Sequence, residues 1–341
     1  MRTLVVAPSW IGDAVLSHPL LVRLREAGAS SLDVLAPAWA LPVFARMPEV
    51  DRAIALPFGH GELRLGERRA FARKLSPYDH AVVLPNSWKS ALIPWAARIP
   101  KRTGYRGEMR YGLLNDIRTL DARALPLIAE RYAALAQPRG EALRRPLPRP
   151  RLTADPAQVA RTLARFGLSR AKPAIAFAPG AEYGPAKRWP ERHFAGLADT
   201  LAARGWQVWL LGSGKDAPIT AAIHSSAPQA CVDLAGRTSI DEAIDLIAAA
   251  DGIVTNDSGL MHVAAALDRP TAAIFGSSSP EFTPPLSPRS RVVTLRLSCS
   301  PCFQRTCPLG HTNCLVTLEP PLVLEALDAE LALTPGGLRE G

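Results

Sequence analysis

Short, continuous apolar runs recur along the chain, and each stops at small, turn-forming residues. Leu4-Val5-Val6-Ala7 ends at Pro8-Ser9, Leu32-Asp33-Val34-Leu35-Ala36 at Pro37, and His80-Ala81-Val82-Val83-Leu84 at Pro85-Asn86-Ser87. Between the first two, Leu16, Leu20, Leu21 and Leu24 fall at helical spacing. Strands apolar on both faces and separated by helices are what a parallel sheet needs, because helices cover it on both sides.

The pattern restarts after a segment rich in proline and arginine between Gln137 and Arg151, which reads as an interdomain linker. Ala174 to Ala178 is the next strand; Phe194, Leu197 and Leu201 then mark a helix that Gly205 stops. Gln207 to Leu211, Ile253 to Thr255 and Thr271 to Phe275 supply further strands, and Ser239 with Glu242 has capping-box spacing for a helix through Ala250. The prediction is two doubly wound α/β domains facing a central cleft. Residues 1–150 form the first, and residues 151–341 form the second, with a Cys-rich segment at 299–314 and a C-terminal helix.

Composition agrees: 341 residues at roughly 100–200 per domain make two domains, and 48% apolar residues fill two cores. Disorder, collagen and a small disulfide scaffold are excluded. The N-terminal apolar run meets Pro8, Trp10 and Asp13 before a secretory segment completes itself, and no stretch of 18 uncharged apolar residues occurs, so a cytoplasmic chain with reduced cysteines is expected. A net charge of +9 points to an acidic partner: nucleic acid, an anionic membrane surface or a phosphorylated substrate. A basic zinc-ribbon nucleic-acid-binding protein would interleave cations with an aromatic platform, and 6% aromatic residues without a nucleic-acid motif argue against it.

In open α/β sheets ligands bind beyond the carboxyl ends of the strands, so the residues just after each strand are the candidates. Asp13 follows strand one through Ser9 and Gly12, where the glycine is expected to turn the backbone; it reads either as a helix N-cap or as a general base. Asn256, Asp257, Ser258, Gly259 and His262 follow a later strand at a helix start, a place for a diphosphate. His262 reads equally as a core histidine, and Asp257 as an N-cap. Lys187 sits in a loop opened by Pro179-Gly180, either on a phosphate or simply solvated. Gly212 and Asp216 belong to a lone G-x-G that falls short of a dinucleotide fingerprint. Cys299, Cys302, Cys307 and Cys314, with His311 among them, suit a structural zinc site, free thiols, disulfides or an iron–sulfur cluster.

The blocks Ala7 to Asp13, Pro85 to Ala91, Thr103 to Tyr111, Pro179 to Pro190 and Thr255 to His262 together resemble the lipopolysaccharide heptosyltransferases over nearly the whole chain. The resemblance implies a GT-B fold and an inverting, metal-independent transfer of L-glycero-D-manno-heptose from ADP-heptose. The implied acceptor is the first heptose on Kdo2-lipid A, at the inner face of the inner membrane. The enzyme that adds that first heptose, or a GT-B transferase using another nucleotide sugar, is the alternative. By the resemblance Asp13 is the acceptor-side base, Lys187 meets the donor phosphates, and Asp257 to His262 surround the diphosphate. Ser9, Gly12, Gly180, Gly212, Asp216 and Ile240 complete the candidate donor site, with adenine near Leu234 to Ile240. Asn86, Lys89, Arg64, Arg68, Arg69 and Arg106 are acceptor candidates, the arginines as a basic rim toward anionic lipid. No cofactor is expected in catalysis.

Overall fold

The computed structural model describes residues 1–59, 62–75 and 77–333; the last eight residues of the second expected domain lie outside that set. It divides into two compact units, Met1–Leu152 and Thr153–Gly341.

The first unit is a six-stranded sheet in the order β3-β2-β1-β4-β5-β6. The strands are β1 (Arg2–Val6), β2 (Ser31–Pro37), β3 (Arg52–Leu56), β4 (His80–Val83), β5 (Lys101–Tyr105) and β6 (Asp116–Arg118). Every pairing is parallel. Leu4, Val6, Leu35, Ala81 and Val83 join Phe58, Tyr78 and Ile93 in its core, as apolar runs covered by helices on both faces must.

The second unit repeats the design in the order β12-β11-β10-β7-β8-β9. Its strands are β7 (Ala174–Ala178), β8 (Gln207–Leu210), β9 (Cys231–Asp233), β10 (Gly252–Asn256), β11 (Thr271–Ile274) and β12 (Ser290–Val293), all parallel. Phe177, Phe194, Trp189 and Leu210 centre its core. The predicted capping box is formed: Glu242 N–H donates to Ser239 Oγ at 3.2 Å, and Ser239 N–H to Glu242 Oε2 at 2.8 Å. In each sheet the chain winds outward from a central pair, β1 with β4 and β7 with β10, and that reversal opens a crevice at the carboxyl ends of the pair.

The segment read as a linker is not free. Arg23, itself buried, donates to the carbonyls of Arg144 and Pro146, and Arg144 and Arg145 pair with Glu26 and Glu130. Guanidinium forks to carbonyl and carboxylate oxygens therefore hold it against the first unit, and the division falls after Leu152.

Candidate active site

In the first unit the chain leaves β1 and enters the helix Ile11–Leu16 with Trp10, which has no capping oxygen, as N-cap. Asp13 is therefore not the cap. It lies in the first helical turn, where the exposed amide ends favour a carboxylate. Gly12 is likewise inside the helix rather than in a turn, and it is not among the glycines with positive φ. The expected backbone role fails there, because the helix begins three residues earlier than an Asp13 cap would place it. Ser9 accepts from Trp39 Nε1 through its carbonyl at 3.0 Å. The helix Ile128–Ala134 brings Tyr132 beside Asp13: burial first, and the nearby carboxylate second, push its phenol well above the usual range, so it stays protonated.

After β4, the Asn86 carbonyl accepts from the Glu108 amide at 3.1 Å, and Glu108 Oε2 accepts from the Trp88 amide at 3.2 Å. A side chain at Gly107, φ +50°, would collide with Asn86. Lys89 follows in the helix Trp88–Ala96, and Arg106 is exposed.

The basic rim needs correcting. Arg68 is 6% exposed. Its guanidinium donates to the carbonyls of Leu63 and Glu62 at 2.7 and 2.9 Å and lies 4.5 Å from the Phe58 ring centroid. Arg64 precedes the helix Leu65–Lys74 in a left-handed conformation, paired with Glu62 and Glu67. Arg64 is exposed but lies outside the helix, so the two do not share a helical face; Arg69, Arg73 and Lys74 are exposed cations within it. Arg110 is also fully buried, donating to the Pro85 carbonyl at 2.6 Å, and burial lowers its pKa to about 10.

In the second unit the crevice between β7 and β10 gathers the other candidates. Lys187 ends a short turn of helix, Pro185–Lys187, and is not solvated. Its Nζ lies 2.5 Å from Asp257 Oδ2, with the two side chains 16% and 5% exposed, and 5.0 Å from the Tyr183 ring centroid. Asp257 Oδ2 also accepts from Ser278 Oγ at 2.5 Å. The N-cap of the helix Gly259–Ala266 is Ser258, not Asp257, and Ser258 Oγ sits 3.2 Å from Thr255 Oγ1. One turn in, His262 is buried, and its desolvation lowers the pKa to about 4; the ring is neutral, and its Nδ1 has no hydrogen-bond partner among the described residues.

Asn256 has a different part from the one expected. Its amide donates to the Pro179 carbonyl at 2.6 Å and accepts from the Trp189 amide at 3.0 Å, so it brackets both ends of the Lys187 loop. Trp189 anchors that loop in the core and donates to the Leu318 carbonyl at 2.7 Å.

Gly180, Gly212 and Asp216 come together. Asp216 Oδ2 accepts from the Ser213 amide and hydroxyl at 2.9 and 2.8 Å. A Cβ on Gly212 would stand 2.8 Å from that of Asp216, and one on Gly180 would displace its carboxylate, so a side chain at either position would disturb the Asp216 hydrogen bonds. Ile240 opens the helix Ile240–Ala249. Gly236, Arg237, Thr238 and Ser239 before it line an open cavity of about 570 Å3 with Gln158 and Arg161. Neither Lys187 nor Asp257 borders it.

Sequence reasoning missed Tyr132, Ser278 and the loop-holding role of Trp189. Ser278 carries a signal: Gly276-Ser277-Ser278-Ser279 is a small polar run directly after β11. Tyr132 carries none, since 119 residues separate it from Asp13.

Two doubly wound parallel sheets, with a cation, a carboxylate and a helix N-terminus at the reversal point of the second, have the architecture of the GT-B class. The comparisons narrow this. The family model described as glycosyltransferase family 9 (heptosyltransferase) matches residues 68–313. The chain is 49% identical over 343 residues to lipopolysaccharide heptosyltransferase 2 of Escherichia coli strain K12, covering 97% of this chain and 99% of that protein. It is 43% identical to lipooligosaccharide heptosyltransferase 2 of Haemophilus influenzae, covering 97% and 100%. Lipopolysaccharide heptosyltransferase 1 of Pseudomonas aeruginosa reaches 29%. The solved structure of E. coli ADP-heptose LPS heptosyltransferase II superposes with a TM-score of 0.89 at 47% identity, covering 97% of this chain and 99% of that one. The chain belongs to glycosyltransferase family 9, the heptosyltransferases, and sides with the heptosyltransferase 2 members rather than heptosyltransferase 1.

Proposed function

We propose that the chain transfers L-glycero-D-manno-heptose from ADP-heptose onto the first heptose of the lipopolysaccharide inner core, with inversion and with no metal in the chemical step. The observation that carries this is the Lys187, Asp257, Ser278 and His262 cluster at the β7/β10 crevice, in a chain so similar to heptosyltransferase 2.

The acceptor hydroxyl oxygen attacks the anomeric carbon, the bond from that carbon to the β-phosphate oxygen breaks, and ADP leaves with the bonding electrons. Asp13 takes the hydroxyl proton, a role that suits a carboxylate in a first helical turn. On the donor side negative charge grows on the diphosphate. Lys187 and the amides at the start of Gly259–Ala266 oppose it, as positioned donors do where charge develops. His262 adds a hydrogen-bonding group without a charge. Asp257 and Ser278 fix where the ammonium points.

Among the described residues no helix is long and apolar enough to cross a membrane. We place the chain in the cytoplasm at the inner face of the inner membrane, with the exposed Arg69, Arg73 and Lys74 toward anionic lipid and acceptor. Purified chain, ADP-heptose and two acceptors test the function: Kdo2-lipid A with and without its first heptose, read by mass spectrometry. Gain of one heptose on the heptosylated acceptor alone is the expected result. Gain on the bare acceptor alone would make it the first-heptose enzyme, and no gain on either would remove the reading.

A further inference from the structure

Cys299, Cys302, Cys307 and Cys314 have no part in the transfer, yet the fold brings them to one place. All four are reduced and partly exposed. They line a single small space of about 20 Å3 with Ala186 and Ser277, room for one small ion or water. The chain from β12 to the helix Asn313–Val316 has no ladder or helix of its own, and Phe303 and Leu309 in it are exposed. It buries too little apolar surface to offset the entropy of ordering it.

The backbone is nonetheless wrapped around the sulfurs. Phe303, directly after the Cys299-x-x-Cys302 pair, and Gly310 and Thr312 all adopt positive φ. The Thr312 amide donates to Cys307 Sγ at 3.4 Å, and those of Leu309, Gly310 and His311 also face it. His311 borders the same space, but its Nδ1 accepts from the Asn313 amide at 3.0 Å, and a neutral ring accepting there carries its proton on Nε2, which leaves the four sulfurs as the ligand set. Among the described residues no three ligating side chains stand in metal-holding geometry; side-chain rotation must close them to about 2.3 Å from a common centre.

The same segment carries the Lys187 loop. The Ala186 amide donates to the Arg305 carbonyl at 3.0 Å, the Tyr183 hydroxyl to the Phe303 carbonyl at 2.6 Å, and the Phe303 amide to the Ser277 carbonyl at 2.7 Å. Any side chain at Gly184 would collide with the Arg305 backbone. Arg305 and Lys187 each lie 5.0 Å from the Tyr183 ring centroid.

We propose that Cys299, Cys302, Cys307 and Cys314 bind one thiophilic divalent cation, zinc by the chemistry of four thiolates, and that this cation clips in place the segment on which the Lys187 loop rests. Each thiol gives up its proton to the solvent as its sulfur takes the metal. The coupling to Lys187 rests on the donor-site reading above; the metal site does not.

Full-length chain, purified with reductant and without chelator, is assayed for metal by elemental mass spectrometry, and stripped chain is titrated with Co2+. The expected result is about one equivalent of transition metal. Co2+ should bring the visible bands of tetrahedral thiolate cobalt, lost in Cys302→Ser and Cys307→Ser and kept in Cys231→Ser. Absence of metal as purified, together with no bands from wild-type chain and Co2+, overturns the site even if a Cys variant fails to fold. Stripping should also weaken ADP binding several-fold, with recovery on adding Zn2+. Normal metal content with ADP affinity indifferent to stripping overturns the coupling, whereas a metal-free chain that binds ADP normally overturns this proposal and leaves the proposed function standing.

Discussion

Lys187 and Asp257 show what a side-chain distance adds to a motif. As sequence, Lys187 stands beside Arg188 in a loop, where a solvated charge is the ordinary outcome. As structure, it is fixed 2.5 Å from a buried carboxylate 70 residues away, and no local pattern encodes that pairing. Lys187→Ala is expected to raise donor KM and lower kcat together, since in the proposed mechanism the cation meets both the bound diphosphate and the departing ADP; steady-state kinetics with varied ADP-heptose checks this, and unchanged constants would reduce the lysine to a structural ion pair. His262 and His80 bear on pH. Burial puts both near a pKa of about 4 in the folded protein, against the ordinary 6.5. The unfolded chain therefore takes up protons first as pH falls. Stability should be intact above about pH 6.5 and decline down to about pH 4, each histidine contributing on the order of 3 kcal/mol at ~1.4 kcal/mol per pKa unit. Denaturant unfolding at about pH 7 and about pH 5 measures it, and equal stabilities would mean that these rings are accessible to water.

Elements were legible where burial is symmetrical. β1, β2, β4, β7, β8, β10 and β11 are inner strands with apolar residues on both faces, and the runs that predict them are continuous. β3, β6, β9 and β12 are the four sheet edges, and β5 opens with Lys101-Arg102; edge strands need less apolar side chain, so Asp116–Arg118 or Ser290–Val293 looks like loop in sequence. Helix starts behaved likewise. Ser239 with Glu242 announces its helix, whereas the Trp10 start has no capping signal, so in sequence Gly12 looks like turn and Asp13 like the cap. Ser239→Ala should cost about 1 kcal/mol of stability, the usual worth of an N-cap side chain. No loss in chemical unfolding would mean that Glu242 alone holds that end. Arg68 drops out of the rim read at Arg64, Arg68 and Arg69 for a related reason. Charge spacing on a helix cannot reveal that one guanidinium folds inward over Phe58 and onto two carbonyls.

At the scale of the whole molecule, the chain has a net charge of +9 and exposed cations on the first unit, which the proposed function turns toward an anionic acceptor. Charge reversal at Arg69, Arg73 and Lys74 together should raise acceptor KM several-fold at low ionic strength, leave ADP affinity unchanged and lose its effect as salt screens the exposed charges. An acceptor KM matching wild type at low salt would turn attention to Lys89 and Arg106. In the proposed mechanism two units of one architecture also divide the chemistry: Asp13 lies at the reversal point of the first sheet, and Lys187 with Asp257 at that of the second. The most direct test of this division is Asp13→Asn, assayed for ADP binding by calorimetry and for heptose transfer under saturating donor. Binding equal to wild type with turnover lowered by at least about 10²-fold is the predicted result. Turnover close to wild type, or ADP affinity lost together with activity, would contradict it.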